Sequence, residues 1–436
     1  MQHHPVLGQV AFGYSPMIGR QRQVVATRLT VFPARPDAAP DAGPLLHALH
    51  DVWPPQDEQA IQLSLRDVGS GAPAGRSGAP VRAAPASASS SAALKLPPVA
   101  LNVADEDLLR TVIRALPAPH FMLEIPAFMA VEPELSANLL NLHAAGSVLL
   151  LKGRPVKPLS KEILACFSHT VVDADEERRA SPAAIPGLRS VTTIQSGVRS
   201  AAAAGQAFER GAVAVLGWPL EDPLPKATGR STVPPDVQVV LELINGVERE
   251  EPVGRLEGLL KRDPTLAFRL LRYLNSPAFG MSVEISSFGH ALMMLGYQRL
   301  KRWLALLLAS SSKGNNAKPL MHAAVRRGLL MEQLAFGQDD PEVRSEMFIC
   351  GVFSLLDRLL GQPFADLLIG IPVAEKVQLA LLEGSGPYGP YLQLVRAIEQ
   401  EAVFDIREGA DALMLDMKEV NHAVLRALMA ANQLDG

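Results

Sequence analysis

Hydrolysis at a divalent metal needs imidazoles or carboxylates that converge on the ion, and an adjacent His-Asp pair on one helix is one way to supply both. The stretch FICGVFSLLDRLLG (348–361) has the shape of a helix that would carry such a pair at its centre, yet the centre reads Ser354-Leu355. Asp357, a few residues further on, cannot replace the pair alone. The C-terminal half also holds His290, His322 and His422, and none of them is followed by Asp. The chain's single His-Asp dipeptide, His50-Asp51 in LLHALHDVW, falls at the exposed end of an amphipathic pattern. The 348–361 stretch is therefore expected to be one structural helix, with Phe348, Val352, Leu355, Leu356 and Leu359 as its apolar stripe.

The elements that must position any site fall into two kinds. Before residue 221, apolar strand-like runs alternate with helical ones. VVATRLTVF (24–32), VALNV (99–103), HFMLEI (120–125), SVLLL (147–151), HTVVDA (169–174), VTTI (191–194) and AVAVLGW (212–218) read as strands. Residues 105–116, 131–146 and 198–211 read as helices between them. Apolar strands taken in turn with helices predict a parallel sheet covered by helices, and this many units suit a barrel. The run 69–93 is almost entirely Gly, Ala, Ser and Pro, which cannot bury enough side chain to offset backbone entropy; a disordered insertion is expected there. The proline-rich stretch EDPLPKATGRSTVPP (221–235) reads as an interdomain linker. Beyond it only helical patterns occur. The expected fold class is α/β followed by all-α, with domains at 1–225 and 226–436.

Composition narrows the function. The chain has 436 residues, 48% hydrophobic and 20% charged, with a formal net charge of −4. Nothing in that balance points to nucleic acid or to an anionic membrane. The two cysteines, Cys166 and Cys350, suit a reducing compartment. No apolar run reaches the ~18–20 residues of a membrane span, and MQHHPVLGQV lacks the pattern of a signal peptide, so a cytoplasmic protein without membrane insertion is expected.

RDPTLAFRLLRYLNSPAFG (262–280) is the most informative run of the C-terminal half. Asp263 can cap a helix that Pro264 begins, Leu266, Leu270, Leu271 and Leu274 share one face, and Pro277 biases Ser276 out of the helix, which then ends at Asn275. ISSFGHALMMLG follows, with a break allowed at Gly296. Taken with FICGVFSLLDRLLG, this region resembles the HDOD family over roughly residues 230–415. The signature positions are Asp263, Pro264, Asn275, Ser276, Pro277, Gly280 and Gly296. The resemblance implies an HD-type helical architecture without its metal site, a signalling role, and Ser354 and Leu355 standing where the lost His-Asp pair would be.

The N-terminal half resembles the EAL-type barrel, the fold of cyclic di-GMP phosphodiesterases, which sometimes precedes an HDOD domain. GYSPMIGRQRQVVATRLTVF (13–32) is similar to the first hairpin and strand, LPPVALNVADEDLL to the strand bearing a ligand Asn (Asn102), and HFMLEI to the strand bearing a ligand Glu (Glu124). AVAVLGWPL is similar to the last strand and its exit. The departures are specific. The family's eponymous Glu aligns with Arg28, the paired aspartates have no counterpart in SVLLLKGRP, which turns basic at Lys152 and Arg154, and Leu216 stands for the expected Gln. A late Glu near 196–200 is missing, and the register of Asp173 and Asp175 is open. One Asn and one Glu cannot hold the divalent ions that such hydrolysis uses. The expectation is thus a degenerate EAL-like barrel with vestigial positions Arg28, Asn102 and Glu124, Arg28 and Glu124 pairing, and no catalytic residue, metal or cofactor.

Together these readings predict a non-enzymatic signalling or scaffold protein that contacts other signalling proteins through its HDOD domain. The alternative is a cyclic di-GMP receptor or residual phosphodiesterase, with Arg28, Lys152 and Arg154 meeting phosphates. A DNA-binding helix-turn-helix around LMMLGYQRLKRW, with Arg299, Lys301 and Arg302 after its turn, is disfavoured because Leu300, Trp303, Leu304 and Leu307 would bury the second helix.

Overall fold

A computed structural model describes residues 4–53, 98–115, 117, 121–175, 191–222, 224, 235–260, 296–297, 300–302, 304–309, 317–335, 340–371 and 373–434. The segment 69–93 and the signature positions Asp263, Pro264, Asn275, Ser276, Pro277 and Gly280 lie outside them. The strands are β1 (Val10–Gly19), β2 (Val24–Pro33), β3 (Val99–Val103), β4 (Phe121–Pro126), β5 (Val148–Lys152), β6 (Phe167–Asp173), β7 (Thr192–Ser196) and β8 (Ala214–Leu216). They close into a barrel in sequence order. Strands β2 to β8 run parallel, while β1 is antiparallel to both of its neighbours.

That antiparallel strand makes a hairpin of β1 and β2, in line with the likeness of residues 13–32 to a first hairpin. Only a short link, residues 20–23, joins β1 to β2, and a link of that length can close a hairpin but not a parallel crossover of about a dozen residues. The helices around the barrel are α1 (Ala42–Val52), α2 (Glu106–Arg114), α3 (Ala127–Ala130), α4 (Pro133–Ala144), α5 (Lys161–Ala165) and α6 (Ala201–Glu209). Side chains of Asp41, Asp105, Ser160 and Ser200 accept from backbone N–H groups of the first turns of α1, α2, α5 and α6.

Strand alternation separates two apolar layers. Leu29, Leu101, Leu123 and Leu149 point outward to the helices. Ala26, Ala100, Met122, Leu150, Val171 and Ile194 point inward and fill the barrel. Each inward residue is followed two positions later, on the same face, by Arg28, Asn102, Glu124, Lys152, Asp173 or Ser196. The apolar plug thus ends in a polar layer at the C-terminal ends of the parallel strands.

The rest of the chain is helical: α7 (Pro235–Glu248), α8 (Val253–Leu260), α9 (Ala317–Leu334), α10 (Pro341–Phe353), α11 (Leu356–Leu360), α12 (Phe364–Gly370), α13 (Glu375–Leu382), α14 (Gly389–Glu399), α15 (Val403–Ala412) and α16 (Met417–Leu434). The single helix expected over 348–361 is two. Ser354 caps α10, its hydroxyl donating to the carbonyl of Gly351 at 2.7 Å, and Leu355 leaves helical geometry at φ −122°, ψ 10°. The apolar stripe nevertheless stays buried from Phe348 to Leu359. Helices α9 and α10 cross where Gly328 meets Gly351; a Cβ on Gly351 would lie 2.5 Å from the carbonyl oxygen of Arg327. Lys301 and Arg302, candidates for a nucleic-acid face, are instead engaged by Glu248 and Glu332.

The last helices pack on the barrel itself. Strand β1 is buried along its whole length, with α14, α15 and α16 against it. Asn421 of α16 is fully buried; it accepts from the N–H of Phe12 at 3.0 Å and donates to the carbonyls of Leu7 and Val10 at 2.7 Å. Backbone groups at the start of β1 are thereby satisfied by a side chain from the far end of the chain.

Candidate functional site at the barrel mouth

The polar layer opens into a cavity of about 660 Å³ lined by Arg28, Thr30, Asn102, Lys152, Asp173 and Ser196 from the strand ends. The exposed ring of Phe128 stands on its rim, and Gln400 and Glu401 reach it from the turn between α14 and α15. Active sites of (β/α) barrels are built at this end of the strands. Arg154, named with Lys152 in the sequence, does not line it.

Arg28 organises the layer. Its Nε and Nη2 each donate to Glu124 at 2.8 Å, a bidentate pair in which the Glu124 side chain is fully buried. Its Nη1 reaches Glu401 Oε2 at a looser 3.3 Å. Burial acts to lower the guanidinium's pKa, but Glu124 and then Glu401 outweigh it and hold the group firmly charged. Next to this pair, Lys152 Nζ donates to Asn102 Oδ1 at 2.8 Å, and Asn102 Nδ2 donates to Thr30 Oγ1 at 3.1 Å. Burial pushes the Lys152 ammonium below its usual range. Asp173 is exposed and accepts from the N–H of Asp175 at 2.8 Å.

The structure therefore brings Arg28, Asn102 and Glu124 together, and Arg28 does pair with Glu124. It adds Thr30, Ser196 and Glu401, which sequence reasoning missed. Thr30 and Ser196 were findable, since each continues the two-residue phase of an inward apolar face. Glu401 carries no such signal; it comes from a helix-helix turn and enters the mouth only through packing.

As arranged, the donor set does not fit a pair of divalent ions. Both carboxylate oxygens of Glu124 are taken by Arg28, and Asn102 Oδ1 is taken by Lys152. Among the described residues, no group of three or more His, Cys, Asp or Glu side chains is placed to hold a metal.

Ser354 and Leu355 are buried in the helical core. Arg327 Nη1 donates to Ser354 Oγ at 3.1 Å, while the same guanidinium pairs with buried Glu399 at 2.7 Å. A covalently held cation and its counter-ion thus occupy the space beside Ser354. Burial raises the pKa of Asp357 nearby. Gly296 sits at φ +70°, a conformation that favours glycine. His50-Asp51 lies on α1, where Asp51 meets His4 Nε2 at 2.9 Å near the surface. No described helix is long and apolar enough to cross a membrane.

Residues 233–361 match the HDOD domain model. The chain is 29% identical over 204 residues to "Cyclic di-GMP phosphodiesterase CdgJ" of Vibrio cholerae, covering 47% of each protein. It is 32% identical over 191 residues to "Uncharacterized protein YuxH" of Bacillus subtilis, covering 43% of this chain and 46% of that one. The chain spans about half the length of the curated relatives it matches. Among solved structures it is similar to "PaMucR Phosphodiesterase, c-di-GMP complex", at 19% identity and a TM-score of 0.29 over 50% of this chain and 93% of that chain. It is also similar to the Bacillus subtilis YkuI protein with an EAL domain, at 12% identity and a TM-score of 0.29 over 66% of this chain and 74% of that chain.

The Vibrio relative, named as a phosphodiesterase, overturns the expectation of a non-enzymatic protein. That expectation rested on carboxylates counted in strand register alone, a count that left Asp173 unplaced and could not include Glu401. The region that matches the HDOD domain model thus follows a closed barrel of eight strands.

Proposed function

We propose that the barrel mouth binds cyclic di-GMP and that the chain acts in signalling through that nucleotide. The observation that supports this most is the mouth itself: a cavity of about 660 Å³ with Arg28 and Lys152 in its wall and neutral hydrogen-bonding groups from Thr30, Asn102 and Ser196 beside them. That volume lies within the ~300–1,000 Å³ of small-molecule sites. Arg28 Nη1 and Lys152 Nζ meet the phosphodiester charges in this reading, and the exposed ring of Phe128 gives a face on which a guanine can stack. The helical domain relays the state of the mouth to signalling proteins.

A second reading, turnover of the nucleotide, is favoured by the name of the Vibrio relative. Because the carboxylate and amide oxygens of Glu124 and Asn102 are engaged by cations, no step through a metal follows from this arrangement.

Calorimetry with cyclic di-GMP, once in EDTA and once with Mg²⁺ or Mn²⁺, tests both readings when the recovered nucleotide is checked for cleavage. Saturable heat that weakens in high salt and in K152M supports binding at the mouth. Appearance of the linear dinucleotide supports turnover. No heat and no product in either buffer defeats the proposal.

A further inference from the structure

Glu401 is placed with unusual insistence. It is not glycine, yet its backbone sits at φ +56°, a left-handed conformation that costs free energy for such a residue. The turn that holds it lies so close to β1 that a Cβ on Gly13 would come within 3.0 Å of Glu401 Cα and 3.1 Å of the carbonyl oxygen of Ile398. A side chain at 13 would press on the turn, which would have to give by a few tenths of an ångström. The carboxylate then makes two contacts with the barrel, accepting from Ser15 Oγ at 2.9 Å and from Arg28 Nη1 at 3.3 Å. Ser15 and Arg28 are direct register partners across the β1–β2 hairpin, so Glu401 clamps one cross-strand pair from outside.

The two halves of the Arg28 interaction are unequal. Toward Glu124 the guanidinium makes two bonds at 2.8 Å to a fully buried carboxylate, and toward Glu401 one bond at 3.3 Å to a carboxylate that keeps 18% exposure. In the proposed binding mode Nη1 is also the edge of Arg28 that meets a phosphate. An entering phosphate and Glu401 therefore compete for the same donor, and like charge drives them apart. Releasing Glu401 lets the strained turn between α14 and α15 relax. That turn continues into Glu399, the partner of Arg327, whose guanidinium is bonded to Ser354 in the helical core.

From this we infer that Glu401 is a latch: it holds Arg28 when the mouth is empty of anion, and a phosphate at Arg28 displaces it and frees the α14–α15 turn of the helical half. This rests on the proposed binding of cyclic di-GMP at the mouth. The latch gives that binding a mechanical output, since occupancy of the barrel changes a contact made by the helices. By linkage, whatever pulls the turn away from the barrel from the helical side must tighten anion binding by the same factor.

The test uses the full chain, wild type and E401Q, with cyclic di-GMP as the probe. E401Q keeps the shape of the side chain and removes its charge. It is expected to bind the nucleotide about fivefold to tenfold more tightly, at the low end of couplings between linked sites. Hydrogen–deuterium exchange reports the turn directly. Backbone amides of residues 400–404 should exchange faster in wild type when nucleotide is added, and should be fast in E401Q with or without it. G13A, which pushes the turn outward without touching a charge, should give the same tightening. Equal or weaker binding in both variants, or a turn whose exchange is unchanged by nucleotide in wild type, overturns the latch while leaving binding at the mouth intact. Absence of binding in all the proteins defeats the functional reading, and the latch as a ligand-driven device falls with it.

Discussion

Replacing Arg28 by Ala should cost about 3–5 kcal/mol of stability, the range for breaking a buried ion pair from one side. The size follows from what is left behind. Glu124 is fully enclosed and loses two charge-assisted bonds of 2.8 Å at once. Lys152 is the remaining cation acting on it, and that ammonium is itself held by Asn102. Removing both charges is a different matter. R28M/E124L replaces the pair with apolar groups of similar bulk beside the Met122 and Ala100 layer, and should be clearly more stable than R28A, because the fully buried Glu124 charge is no longer stranded; Lys152 and the part-exposed Glu401 keep only their other contacts. Urea unfolding followed by tryptophan fluorescence measures this, since Trp53 and Trp218 are both buried against the barrel. A loss in R28A below about 1 kcal/mol, or a double variant as unstable as R28A, would refute the view that the buried Glu124 charge depends on Arg28.

Burial depresses the Lys152 pKa below its ordinary 10.5, so in the window between the depressed value and 10.5 the unfolded chain binds more protons than the folded one. Wild type should therefore gain stability relative to K152M as pH rises through that window; parallel stability curves would contradict it. G351A should destabilise the helical half by about 1–3 kcal/mol or more, because the new methyl would meet the α9 backbone at 2.5–2.6 Å and must drive the helices apart; unchanged thermal unfolding would disprove the close crossing. Cys350 is buried with its pKa pushed up to about 12, and Cys166 is also buried and raised, so alkylation of the native protein at pH 8 should be slow at both and slowest at Cys350. Mass spectrometry of the labelled peptides decides this, and fast labelling of Cys350 would count against its burial.

The alternation of apolar strands with helices was legible in the sequence because period-two and helical patterns are local properties of the chain. The same holds for the purely helical patterns after residue 235, whereas Arg28, Asn102 and Glu124 were singled out by the resemblance to the EAL-type barrel. Even the polar layer was written there, since Arg28, Thr30, Asn102, Glu124, Lys152, Asp173 and Ser196 each follow an inward-facing residue by two positions. Local patterns could not say that β1 also pairs with β8 and so closes the barrel, because its own apolar content is that of any buried strand. They could not say that a helix read through Ser354 breaks there, because the break depends on the Ser354 hydroxyl and on Arg327 arriving from another helix. Least of all could they place Glu401 beside Arg28, 373 positions away in the chain. Strand and helix follow from the periodicity of neighbours, whereas the charge balance of the mouth is fixed by which distant turn packs over Gly13. That choice belongs to the tertiary structure alone.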